Sequence, residues 1–404
     1  MNILVTDGEN RSALATTRSL GRKGHNIFVT GTTLENISAA SRFCRKAFTV
    51  PDPLNEGIKY SQTIAEIVNR ETVDMIFPMT EQSIYCLNKA RESLGKSVKL
   101  ACVPHEKMEA VSNKYNLFQL AEKLGVAIPE TIYLAGPDDL LGKKTQISRF
   151  PVVVKPAYSK IEHGDRIISA RVMYASGYNE LNRLYETKAE LRYPSLIQEQ
   201  IAGEGTGLFT LFDHDRHLAL FSHRRLLEKP PSGGVSVLSE SVPLDEEMVE
   251  AAGKLLSEVQ WSGIAMVEFK RDKRDGKAKL MEVNGRFWGS LQLAISSGVD
   301  FPLLSLDYCL GNLGKEPHCL LANYSVGHKL KWFFGLLDHL IIRFKSRARS
   351  FEYPSDYSTR WQVIKELFKA GDANTSFDVY DSEDLMPFIS EAKTYIRNLI
   401  SKRK

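Results

Sequence analysis

The sequence predicts a doubly wound α/β region, then an α+β region, with a helical extension at its C-terminal end. Three observations carry this. The first hundred residues alternate short apolar runs with helical patterns. From Ser112 onward β runs dominate, one pair of them closed by Asp275-Gly276. Beyond residue 310 the strand signals fade and basic, helical patterns take over.

Residues 2–6 form an apolar run that predicts a buried strand, followed by a polar turn, Asp7-Gly8-Glu9-Asn10. A helical pattern through Leu14, Thr17 and Leu20 ends at Gly21, and a second strand is expected over 26–30. Strand, helix, strand at this spacing is a βαβ unit, which implies a parallel sheet. A helix around Ile64–Val68 and strands at 75–78 and 99–103 continue it. A dinucleotide site would want G-x-G-x-x-G after the first strand. Only Gly8 is present, so this region is expected to act as a scaffold that holds part of a substrate. From Ser112 a helix carries Lys114, Leu117, Leu120, Ala121 and Leu124 and stops at Gly125, with Pro129 beyond it.

Bulk properties narrow the function class. A chain of 404 residues has room for roughly two to three domains, each with its own core. Its formal charge of +4 is small and its basic residues are interspersed with acids, so nucleic acid is not an expected partner. The N-terminal residues turn polar too early for a signal peptide, and no apolar stretch is long enough to span a bilayer. Five scattered cysteines without CxxC spacing argue against a disulfide framework and a zinc site. A cytoplasmic location is the expectation.

Phe150-Pro151-Val152-Val153-Val154-Lys155-Pro156 is an apolar strand pattern ending in a lysine. Such a lysine can aim its ammonium at phosphate oxygens beyond the strand; a snorkelling surface lysine is the plainer alternative. A second strand, 194–201, runs into Ala202-Gly203-Glu204-Gly205. There the backbone can meet a purine edge, and Glu199 or Glu204 can accept from the adenine amino group or the ribose hydroxyls. The sharpest feature lies between 264 and 290. Alternating runs flank a turn at 271–277, and Asp-Gly there is a hairpin signal. Folding about Asp275 brings Glu268 opposite, or one step diagonal to, Glu282. Glu282, Asn284 and Arg286 then share a face. Facing carboxylates repel unless a cation separates them. Two carboxylates and an amide oxygen suit Mg²⁺, a hard ion that keeps part of its shell for phosphates, and Arg286 beside them can clamp a phosphoryl group. Ser222-His223-Arg224-Arg225 closes a further strand pattern before the Pro/Gly-rich 228–234. Arg225 can bind a substrate carboxylate or the γ-phosphate, unless this is simply a surface loop. Glu81, at a strand's C-terminal end, is a candidate substrate contact; His25 and His105 read as structural.

Together these elements resemble the ATP-grasp superfamily, in particular its carbamoyl-phosphate-synthase-like and biotin-carboxylase-like branch. The resemblance covers roughly residues 1–310. It implies a pre-ATP-grasp domain over 1–108, an ATP-grasp domain over 109–310 with its nucleotide lid at about 125–200, and an extension over 311–404. It also implies that Lys114 and Lys155 contact ATP phosphates, that Glu199 and the backbone near Ile201 hold adenine, and that Glu204 serves the ribose. Glu268, Glu282 and Asn284 would ligate Mg²⁺, with Mn²⁺ as a substitute. Arg286 would stabilise the phosphoryl or acyl-phosphate group. The implied reaction is phosphoryl transfer from ATP to a carboxylate, then displacement of phosphate by an amine or similar nucleophile. A kinase-like phosphotransferase and a non-catalytic nucleotide-binding module are the alternatives.

Two departures qualify the resemblance. The segment after the strand lysine, 157–165, holds a single glycine where the family has a glycine- and serine-rich phosphate cover, so Lys160 or His163 is a candidate replacement. The last segment has no counterpart. Its Trp332–Ile342 stretch, between Lys329/Lys331 and the basic Arg343, Lys345, Arg347 and Arg349, fits either a helix docked on the core or a helix at an anionic membrane surface. The sequence leaves open whether the chain forms a homo-oligomer.

Overall fold

The computed structural model describes residues 1–95, 97–163, 166–231, 233–313, 323–345, 358–369 and 371–401, with backbone alone at 162–163 and 166–169. The expectations placed on the His163 side chain, Arg347 and Arg349 lie outside the described residues.

The first sheet is parallel throughout, in the order Cys44–Thr49, Asn26–Gly31, Asn2–Val5, Met75–Phe77, Lys99–Leu100. The apolar runs predicted its three inner strands and the edge strand Lys99–Leu100. The edge strand Cys44–Thr49 was not predicted, because an edge that faces solvent carries Arg45 and Lys46 rather than an apolar run. Helices Arg11–Arg22 and Gly57–Glu71 cover the sheet, and Glu81–Lys89 starts beyond the fourth strand with Thr80 as its N-cap. Strand order reverses between Asn2–Val5 and Met75–Phe77. Their C-terminal ends therefore open a crevice walled by Glu9–Ser12 and Met79–Gln82.

A small antiparallel sheet follows, in the order Met173–Ala175, Val152–Pro156, Ser195–Glu199, Thr131–Leu134. The expected loop after Lys155 is instead largely a two-stranded hairpin, Lys160–His163 against Arg166–Ser169.

The central sheet has seven strands, in the order Ala278–Asn284, Ser262–Asp272, Gly203–Asp213, Arg216–Lys229, Val235–Ser241, Lys329–Lys331, Thr375–Phe377. The last two were missed by the helical reading of the C-terminal segment. Three residues are too few to display a period of two, and they take their ladder from Val235–Ser241. The strand expected to end at Arg225 continues to Lys229, bulged after Arg225, so Arg225 lies within the sheet. One face packs on the first sheet through Phe209, Phe221, Trp288 and Leu291. The other holds Trp261, Phe212 and the helix Glu246–Glu258, whose N-cap is Asp245.

The helix Phe333–Lys345 docks on this sheet, with Leu336 and Leu340 packed against Leu227, Val237 and Val363. The C-terminal segment also grips the first helix: Arg18 pairs with Asp384 at 2.9 Å, and both are buried. Among the described residues no single helix is long and apolar enough to cross a membrane. The bent pair Leu291–Ser297 and Phe301–Leu310, which passes on length and composition together, contributes Leu291, Leu293 and Phe301 to the core.

Candidate active site

The hairpin Ser262–Asp272/Ala278–Asn284 turns at Asp275-Gly276, where Gly276 has φ +71°, a conformation glycine adopts without strain. Its register sets Glu268 directly opposite Glu282 and Met266 opposite Asn284. A β-bulge follows Glu268, leaving Met281 as the extra residue on the returning strand. Its carbonyl, freed from the ladder, accepts a 3.4 Å hydrogen bond from Lys155 Nζ. The bulge thus ties the strand lysine of the small sheet to the acidic pair of the central one.

Around the two carboxylates the structure gathers most of the residues singled out by sequence. Asn284 Nδ2 donates to Glu282 (3.0 Å) and Glu268 (3.2 Å), while its carbonyl accepts from Arg286 Nη2 at 3.4 Å. Arg225 pairs with Glu268 and donates to Glu228 (3.0 Å) and the Gly234 carbonyl (3.3 Å). It crosses the intervening strand at Gly205, where a Cβ would meet its Cδ at 3.7 Å. Lys114 Nζ stands 4.0 Å from Glu282 and donates to Ser159 Oγ at 3.1 Å.

Charge and burial set the titration here. Burial lowers the Lys155 ammonium from 10.5 to about 8, and Glu282 only partly restores it. Burial raises Glu268, and the neighbouring Glu282 carboxylate raises it further against the pull of Arg225. Burial would raise Glu282 too, but Lys114, Asn284 and Lys155 outweigh it and hold the group low. Arg225 is pushed up: its burial penalty is exceeded by Glu268 and Glu228. Cations hold Glu282 low, whereas burial and the facing Glu282 carboxylate raise Glu268 despite its pairing with Arg225.

Glu199 is placed otherwise than the sequence suggested. Its carboxylate meets Arg274 (2.7 Å), Lys279 (3.2 Å) and Arg149 (3.5 Å), and accepts from the Glu130 N–H at 3.0 Å. Glu199, Gln200 and Ile201 line the cavity. Glu204 does not line the cavity among the described residues and lies 3.6 Å from Arg224. Gly203 is required by close approach, since a Cβ there would lie 1.8 Å from the Arg271 carbonyl. Glu81 does line the cavity.

The cavity measures about 1100 Å³ and runs from Lys155 and Glu199, past Glu268 and Glu282, to the crevice of the first sheet and the C-terminal helix. Sequence reasoning missed three of its lining groups. Lys270 follows the hairpin alternation from Glu268, and its ammonium is lowered by burial. Trp332 and Glu391 come from the segment without recognisable motifs. Lys270 could have been read from the i, i+2 spacing; the other two carry no local signal.

The arrangement of sheets, with a paired-glutamate hairpin under a small lysine-bearing sheet, matches known folds. A family model described as "ATP-grasp in the biosynthetic pathway with Ter operon" matches residues 210–326. The L-amino acid ligase from Bacillus licheniformis superposes with a TM-score of 0.60 at 18% identity, over 77% of this chain and 74% of the other. The chain has an ATP-grasp fold. Biotin carboxylase from Campylobacter jejuni, in complex with β,γ-ATP, gives a TM-score of 0.64 at 15% identity, over 81% and 74% of the two chains. A curated relative, D-aspartate ligase of Enterococcus faecium (strain Aus0004), is 22% identical over 213 residues, covering 50% of each chain. The chain thus spans about half the length of the curated relative it matches.

Proposed function

We propose that the chain is a ligase that uses ATP and Mg²⁺ to activate a carboxylate for attack by an amine or similar nucleophile. The observation that carries this is the register of Glu268 on Glu282, two acids facing each other with Asn284 beside them and Lys155, Lys114, Arg225 and Arg286 around them.

The acidic pair fits a metal by its chemistry. Among the described residues no group of three or more His, Cys, Asp or Glu side chains converges. The protein therefore offers two carboxylates and one amide, the sparse oxygen set of an ion that completes its shell with phosphates and water. Glu268, raised by burial and by Glu282, is what a dication would compensate. Asn284 would need its amide turned to present oxygen to the ion. Bound there, Mg²⁺ would supply charge neutralisation on the nucleotide phosphates.

The chain's own residues then take distinct parts. Lys155 and Lys114 would pair with phosphate oxygens, and the backbone at 199–201 would meet the adenine edge. Because its side chain is held by Arg274 and Lys279, Glu199 would serve by fixing that backbone. Glu204, facing Arg224, is assigned to the ribose only from the family pattern. Arg286 and Arg225 would face the transferring phosphoryl group, making catalysis chiefly positioning and electrostatics. The γ-phosphorus bonds to a carboxylate oxygen and the bridging oxygen leaves as ADP. The amine then bonds to the acyl carbon, phosphate leaves, and the nitrogen gives up a proton. The first sheet would belong to a unit at 1–108, and the small sheet to a lid at about 125–200 within a unit at 109–310, with an extension over 311–404. The last unit would lend its strands to the second.

ADP release scored over pooled carboxylates and amines tests the reading. The expected result is release that needs both. Release with an acceptor that is phosphorylated and never ligated would make the protein a phosphotransferase, and nucleotide binding without turnover would make it a regulatory module.

A further inference from the structure

The C-terminal helix Met386–Ser401 is inverted relative to an ordinary surface helix. Glu391, Thr394, Tyr395 and Asn398, spaced at three and four residues, share one face and line the cavity. Its apolar Ile389, Ile396 and Ile400 are exposed instead, at 39%, 56% and 59%. Phe388 packs on Phe334 and Leu399 also lines the cavity, but a helix normally turns its whole apolar stripe inward; this one leaves its isoleucines outside and presents mainly polar groups to the cavity.

We propose that this far end of the cavity is a subsite for a cationic acceptor, and that Glu391 holds the acceptor's ammonium group. The assignment rests on the ligase reading above and names the acceptor's chemical class.

Volume, polarity and one vacant acceptor support it. About 1100 Å³ exceeds what one drug-sized ligand fills, leaving room beside a nucleotide for a second molecule. The cavity is also polarised. Lys155, Arg225, Lys270 and Arg286 crowd the end where phosphates would lie. At the far end, Arg11 is paired with Asp378 and Lys229 with Asp338, so the charge of each is shared with an acid other than Glu391. Asp338 also accepts from the Tyr395 hydroxyl at 2.7 Å.

Glu391 stands out in this wall. One carboxylate oxygen accepts from Trp332 Nε1 at 2.7 Å; the other is shielded from solvent and accepts from no donor among the described residues. A buried acceptor without a donor is costly. Arg11 lies over the Trp332 ring at 4.0 Å, so the ring's cation contact is taken and the carboxylate oxygen is what remains to be met. Burial first, then Asp378, raises the Glu391 carboxyl to about 7 despite Arg11 and Lys229. An ammonium would supply both the missing donor and the missing charge.

The test is ligand-observed NMR on the full chain without nucleotide. The probes are the common amino acids of both hands, aliphatic diamines and amino sugars, each beside its N-acetylated counterpart. At least one amine should bind the wild type and its N-acetylated form should not. Glu391→Gln should weaken that amine at least tenfold while Mg·ATP affinity stays within twofold. Failure of every amine to bind, equal binding of an acetylated form, or undiminished binding by Glu391→Gln would overturn the assignment. The acetylation comparison uses wild-type protein, so it decides even if the variant does not fold. Loss of Mg·ATP binding in the wild type would instead count against the ligase reading alone.

Discussion

Replacing Lys155 by methionine should stabilise the empty protein while weakening its hold on ATP. The side chain is buried beside the Phe118 ring at 5.3 Å, and its hydrogen bond to the Met281 carbonyl is long at 3.4 Å. Burial lowers its ammonium from 10.5 to about 8. Below pH 8 it is charged in both folded and unfolded chains, and the shift corresponds to about 3 kcal/mol against folding. Methionine keeps most of the volume without the charge. Part of the gain is returned because Glu282 loses one compensating cation, so a net stabilisation of about 1–3 kcal/mol is expected at pH 7. As pH rises from about 8 to 10.5 the folded wild type releases its proton first, and the difference between the two proteins should shrink away. Urea denaturation at pH 7 and pH 10, without nucleotide, measures this. Binding should move the other way: losing a buried charge partner of a phosphate costs about 2–5 kcal/mol, or roughly 30-fold to several thousandfold in ATP affinity. Adenosine, which lacks phosphates, should bind as before. A variant destabilised at pH 7, or equal losses for adenosine and ATP, would show Lys155 to be a structural lysine.

Glu282→Gln should abolish turnover at every magnesium concentration while the fold persists; near-normal rates across a magnesium titration would misplace the metal site. Nucleotide analysis of a working reaction should find ADP and phosphate, and stoichiometric AMP would reject attack at the γ-phosphorus. Asp384→Ala should destabilise the protein by about 3–5 kcal/mol, because it leaves Arg18 buried without its partner; thermal denaturation checks this, and a loss under 1 kcal/mol would show that the C-terminal segment does not brace the first helix. Trp332→Ser with Phe333→Ser should leave no salt-sensitive binding to anionic vesicles to lose, since the helix that follows Trp332 packs on the central sheet; co-sedimentation of wild type at low salt would contradict that.

The acidic pair was legible because every step from sequence to geometry is local. A two-residue period, an Asp-Gly turn and a short loop leave little freedom in which residues face each other, and the structure put Glu268 opposite Glu282. What local pattern could not reveal was the bulge. It costs the ladder one pairing and points the Met281 carbonyl at a lysine 126 residues away in sequence. The Arg225 strand was misjudged at its end for a related reason. Pro230 and the Gly233-Gly234 pair signal a loop, but the strand persists to Lys229, held by Ser236 and Val235 on its neighbour.

The C-terminal segment shows the same limit from the other side. Its strands are three residues long, and its last helix carries polar groups where a core-seeking pattern would carry apolar ones. Read alone, that helix looks like an amphipathic surface element whose apolar stripe should face inward. Its orientation is decided elsewhere. Arg11 and Arg18 anchor Asp378 and Asp384 just before it, and Trp332 and Asp338 capture Glu391 and Tyr395 on its inner face. Four charged or hydrogen-bonded contacts, each between segments far apart in sequence, override the local hydrophobic preference. The exposed isoleucines carry the cost of that choice, and a wall of polar side chains at the far end of the cavity is what it builds. A helix that leaves its isoleucines outside to face a cavity is what the proposed acceptor subsite calls for, and under that proposal specificity is to be sought there and the phosphoryl chemistry at the hairpin.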